Sequence, residues 1–228
     1  MRTKLLILLS ILLMNQCTSK NLVIDGNFKD WDRVPASRLA QASAGDKAKY
    51  KDLYNVKFCA DSTYIYFYLE FNGGTEVLNI EGEDVTRDIA WAIDFFMNVD
   101  GSSQTGGRDW LFKDAGSDIL IEGSWTDNFS RAGIHVFPPD ADQNSWAWQD
   151  ANIEGSTMCC DPVILPNGHK AVEGKISIDK LPIAIQKLRI GVLCSNAGWT
   201  LNGLLPQATE ESDGADAVSE MLDVPMLQ

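Results

Sequence analysis

The sequence has 228 residues, of which 45% are hydrophobic, 9% aromatic and 22% charged. That apolar share excludes a disordered or fibrous chain, and the length suffices for one sizeable all-β core. Asp and Glu total 32 against 19 Lys and Arg, and the formal charge of −13 excludes nucleic acid and disfavours anionic membrane surfaces.

Arg2 and Lys4 precede an apolar run over 5–14. A short positive segment ahead of about 7–15 apolar residues has the layout of an export signal. The run is too short to cross a hydrocarbon layer, which takes roughly 20 residues. Asn15-Gln16-Cys17 closes it, and the polar Thr18-Ser19-Lys20 follows. Cys17 in this position resembles the acceptor cysteine of bacterial lipoprotein signals, with Gln16 where a small residue is usual. The resemblance implies a signal peptide over 1–17, a lipid on Cys17, and an exported lipoprotein of the bacterial cell envelope, at the outer membrane. Its only membrane contact is then the lipid anchor. The alternative is cleavage nearby, for example after Ser19, with Cys17 discarded.

The remainder, 18–228, reads as a single domain. Residues 22–24 form a short strand candidate, and Trp31 after Asp30 is expected to plug a sandwich. The alanine-rich stretch 36–51, interrupted by Gly45, has room for a turn or two of helix. Residues 56–60 and 63–71 flank Asp61-Ser62 and read as a hairpin. In the second of these runs Tyr64, Tyr66 and Tyr68 alternate with Ile65, Phe67, Leu69 and Phe71, so one face is aliphatic and bound for the core. Further strand candidates are 89–97, 118–122, 134–137, 171–178 and 188–194, with Trp91 expected in the core. A second short helical piece is read at 183–187. The acidic stretch 210–216 reads as a loop feeding a last strand over 221–224. Many short strands and few short helices predict an all-β antiparallel sandwich of jelly-roll or immunoglobulin-like type.

The catalytic signatures GxSxG, HExxH, GxGxxG and the P-loop are absent. His135 and His169 have no partner recognisable in sequence and read as structural or solvent-facing. Cys59, Cys159, Cys160 and Cys194 follow the signal; without a CxxC pair they offer no zinc spacing, and their disulfide pairing stays open. The segment Asn98-Val99-Asp100-Gly101-Ser102 places oxygen groups two apart, as calcium loops do, yet a hairpin turn needs the same residues for backbone reasons. Asn98 and Asp100 are the candidate calcium ligands, and no other cofactor is expected. The informative excess is seven tryptophans. Indole stacks on the apolar face of a sugar ring, so indoles in polar surroundings point to saccharides. Trp110, Trp125, Trp146 and Trp148 have such surroundings, and the last two, two apart, share one face on an extended chain.

Several phrases occur in an order similar to that of family 9-like carbohydrate-binding modules, within the DOMON-like β-sandwich group. They are Val23-Ile24-Asp25-Gly26, Asp30-Trp31, Val34-Pro35, the 61–71 strand, Asn98-Val99-Asp100 with Thr105-Gly106, and the segment 116–122. The resemblance covers most of 22–205. It implies a sandwich that binds polysaccharide or oligosaccharide without transforming it, often with calcium supporting the fold, and partner proteins of a glycan-uptake system. A structural or protein-binding sandwich, a haem-binding DOMON-like module and a glycoside hydrolase-associated domain are the rivals.

Overall fold

The computed structural model describes residues 22–46, 48–108, 112, 116–124, 132–151, 153, 155–207 and 220–226. Within them the chain is an antiparallel β-sandwich. The first sheet runs in the order β1 (Ala40–Ser43), β2 (Leu53–Ala60), β3 (Tyr64–Phe71), β12 (Lys170–Ser177) and β10 (Thr157–Cys159), with β11 (Val163–Ile164) also against β12. The second runs β14 (Leu201–Leu205), β13 (Leu188–Ser195), β6 (Ala92–Asn98), β7 (Ile119–Ser124), β8 (Gly133–Val136) and β9 (Gln149–Asp150), with β15 (Leu222–Val224) also against β13. A separate hairpin, β4 (Thr75–Ile80) with β5 (Glu83–Asp88), projects from the body.

Period-two alternation builds the core. Val56, Phe58, Ile65, Phe67 and Leu69 from the first sheet meet Ile93, Phe95, Met97, Ile121, Ile190 and Val192 from the second, all fully buried. Phe95 lies edge-on to both Phe58 and Phe67, with ring centroids 5.6 and 5.2 Å apart. Edge-to-face rings in a dry core add specific attraction to the area they bury.

The tyrosine face of β3 is covered too. Trp31 packs over Tyr66, Tyr68, Cys59 and Ala171 with Leu22, Ile24 and Phe28 around it. Expected to plug the sandwich, it does so from outside, sealing the outer face of the first sheet. Glu173, fully buried in β12, fastens this segment. Its Oε1 accepts from the Asp25 and Gly26 N–H groups at 3.1 and 2.9 Å, and its Oε2 from Trp31 Nε1 at 3.0 Å. Burial pushes the carboxyl above its usual range, against the pull of the three donated bonds.

Several sequence expectations are corrected. Residues 22–24 are not a strand, because Glu173 and not a neighbouring ladder receives the backbone donors at Asp25 and Gly26. The stretch 36–51 forms a single 3₁₀ turn at Ala36–Arg38 and then β1, in which Ala40 faces Phe58 and Ala42 faces Val56. Residues 183–187 are irregular. The strand expected from residue 89 begins at Ala92, and Trp91 is half-buried with the Arg87 guanidinium 5.5 Å above its ring. The cysteine pairing that the sequence leaves open is answered by four free thiols, Cys59, Cys159, Cys160 and Cys194. The acidic stretch 210–216 lies outside the described residues.

Candidate functional site

The outer face of the second sheet carries the site. On β6, β7 and β13 the residues that alternate with the core positions are Asp94, Phe96, Leu120, Glu122, Leu193 and Ser195. Phe112 lies over Gly191 of β13, where a side chain's Cβ would collide with its ring. With Phe96, Leu120, Leu193, Leu204 and Met221 it makes a second apolar cluster on this outer face. Beyond that cluster the face stays open as a cavity of about 340 Å³, at the lower end of the range for small-ligand pockets. Phe96, Leu193 and Leu201 supply its apolar surface, Asp94, Glu122 and Ser195 its polar groups, and Trp146 and Trp199 its aromatic surface.

The two indoles are held by tight loops. Trp199 sits in the hairpin between β13 and β14, which follows a bulge at Cys194/Ser195. Asn196 Oδ1 accepts from the N–H groups of Gly198 and Thr200 at 3.0 and 2.9 Å, and the Trp199 N–H donates to the Asn196 carbonyl at 2.9 Å. Trp199 has a φ of 58°, a left-handed conformation that is uncommon for a bulky residue and marks stored strain. Trp146 sits in a turn closed by Ser145 Oγ donating to the Asp142 carbonyl at 2.6 Å. Gln143 ties that turn to the 106–108 segment, donating from Nε2 to the Gly106 carbonyl and accepting at its own carbonyl from the Arg108 N–H. Trp146 and Trp199 are 66% and 64% exposed, so neither ring is packed away.

Asp94 and Glu122 are direct cross-strand partners on β6 and β7, and Leu193 faces Asp94 from β13. Asp94 is 6% exposed and has further interactions inside the chain. Glu122 is more open, with His135 Nε2 3.5 Å from its Oε2. Ser195 is 3% exposed, and among the described residues its hydroxyl oxygen has no hydrogen-bond partner.

The expected site residues fare unequally. Trp146 is at the cavity. Trp148 is not: it is half-buried between Phe96 and Phe137, ring centroids 6.1 and 5.3 Å away, and supports Trp146 edge-on at 6.3 Å. Trp110, Trp125 and Cys17 lie outside the described residues. Trp199, Asp94, Glu122 and Ser195 were not singled out from sequence, and only the count of tryptophans pointed toward one of them. His135 and His169 both have carboxylate partners, Glu122 on the neighbouring strand β7 and Glu70 on β3. His169 Nδ1 is 2.6 Å from Glu70 Oε1, and its ring stacks on Tyr54 at 3.6 Å.

Asn98 and Asp100 are both engaged in closing their loop. Asn98 donates from Nδ2 to the carbonyls of Ser102 and Gly116 at 2.7 and 2.8 Å and accepts from the Gly101 N–H at 2.7 Å. Asp100 accepts from the Ser102 N–H and the Thr105 hydroxyl, each at 2.7 Å. An amide therefore bridges the two carbonyls that a cation would otherwise draw together. Asp118 accepts from the Val99 N–H at 2.8 Å, with its carboxyl pushed up by burial. Among the described residues no cluster of three or more His, Cys, Asp or Glu side chains is placed to hold a metal, and no helix is long and apolar enough to cross a membrane.

No family model, no curated protein and no solved structure matches this chain.

Proposed function

We propose that the chain is a non-catalytic carbohydrate-binding module of an exported envelope lipoprotein, of the family 9-like kind its ordered phrases resemble. The observation that supports this reading most is the cavity on the outer face of the second sheet, lined by two exposed indoles and by carboxylates at its floor. Indole faces stack on sugar C–H faces, while Asp94, Glu122 and Ser195 offer directional partners for hydroxyls. An open site of this size gains little per ring, so single-site binding is weak. The test is a glycan-array screen followed by titration of the hits. Trp146→Ala and Trp199→Ala each weaken binding about tenfold or more and leave the melting temperature in place. Binding that survives both substitutions removes the reading.

A hydrolytic reading is favoured by one observation, the placement of Asp94 and Glu122 opposite each other. Cross-strand Cβ atoms lie about 5 Å apart, a spacing from which two carboxyl groups can reach the separation of about 5–5.5 Å that retaining glycosidases use. New reducing ends after incubation with mixed polysaccharides, lost in Glu122→Gln, would establish it over simple binding.

A further inference from the structure

We infer that the site selects saccharides carrying a free amino group, and that Glu122 is the partner of the ammonium; this rests on the carbohydrate-binding reading above. Phe96, Trp146 and Trp199 present aromatic surface to the cavity, and the face of each such ring is negatively polarised. Asp94 and Glu122 add two carboxyl groups on the same strand pair. Apart from the Ser195 hydroxyl, the groups that line the cavity among the described residues are thus acidic, aromatic or aliphatic, and none of these is basic. Such a field attracts a cation and repels a uronate, sulfate or phosphate ester. Among sugar substituents a cation means a protonated amine.

Glu122 is the group that can answer it. Its side chain remains 35% exposed, and the one ion-pair partner among the described residues, His135, is 3.5 Å distant. Asp94 is nearly buried, so it contributes field more than contact. The Ser195 hydroxyl is an independent sign of a polar ligand. A buried hydroxyl without a partner is costly, and a sugar hydroxyl reaching the floor beside Leu193 and Trp199 satisfies it.

The experiment is calorimetric titration of the full chain, at low salt and a pH where the amine is protonated. The probes are four disaccharides: a glucosamine dimer, its N-acetylated form, the corresponding glucose dimer and a galacturonic acid dimer. The glucosamine dimer binds about tenfold tighter than the glucose dimer, its advantage shrinks with added salt, and the galacturonic acid dimer does not bind. Glu122→Gln reduces the ratio of glucosamine to glucose affinity to near one, whereas Glu83→Gln on the projecting hairpin leaves that ratio unchanged. Equal affinity for the two dimers, or a ratio unmoved by Glu122→Gln, overturns the inference while Trp199-dependent glucose binding keeps the parent reading intact. Absence of binding by every saccharide overturns both.

Discussion

Glu173→Ala removes the anchor of the amino-terminal segment. Trp31 Nε1 loses its acceptor at a buried position, the part-buried Gly26 N–H loses its own, and the Asp25 N–H keeps only the Val23 carbonyl at 3.1 Å. Each orphaned buried donor costs about 1–3 kcal/mol, and part of this is recovered if the segment loosens and lets water reach the two backbone groups. The carboxylate's own burial is relieved as well, which offsets a further part. The expected loss is therefore about 2–3 kcal/mol, read as a lower urea midpoint. Glu173→Gln loses less, since one amide oxygen still accepts while its NH₂ group faces a donor. The pH dependence separates the contributions. The folded pKa of Glu173 is raised, so its contribution is fully present below the unfolded value of about 4.3 and fades as pH rises through the folded one. The deficit of the Gln variant is accordingly largest in acid and narrows toward neutrality. An Ala deficit below about 1 kcal/mol, or a Gln deficit that widens with pH, would refute the reasoning.

Asn98→Asp places a carboxylate against the Ser102 and Gly116 carbonyls, lowering stability by about 2–3 kcal/mol in chelator, and calcium restores part of the loss; thermal melts with and without the ion check this. Gly116→Ala forces a Cβ onto the Thr105 carbonyl at a φ of 67° and costs more than about 1 kcal/mol, measured by urea unfolding. Burial pushes the Cys59 thiol up to about 12 and Cys194 well above its ordinary value, so neither reacts with iodoacetamide at pH 8 until the chain is unfolded; mass spectrometry counts the adducts.

Local pattern carried the sandwich but not its exceptions. Strand β3 was legible because three tyrosines and four aliphatic or phenyl groups alternate without interruption. The β2–β3 hairpin was legible too, although its turn lies one residue later than expected, with Asp61 already paired to Tyr64. The hairpin of β4 and β5 went unread: its alternation ends in Glu81-Gly82, both at positive φ, and Val77 points to solvent, so no apolar face announces it. Alanine misled at 36–51, where small side chains suit a strand lying close over Phe58 and Val56 as well as they suit a helix. Trp199 was hidden for another reason. Its exposure comes from a left-handed backbone set by Asn196, and the pairing of Asp94 with Glu122 depends on a register 28 residues apart in sequence.

The strap of residues 22–34 lies on one broad side of the body, and the cavity opens on the opposite side. Leu22, where the described residues begin, therefore lies across the sandwich from the cavity. A solid support coupled near Leu22 would accordingly leave the tryptophan-lined mouth unobstructed.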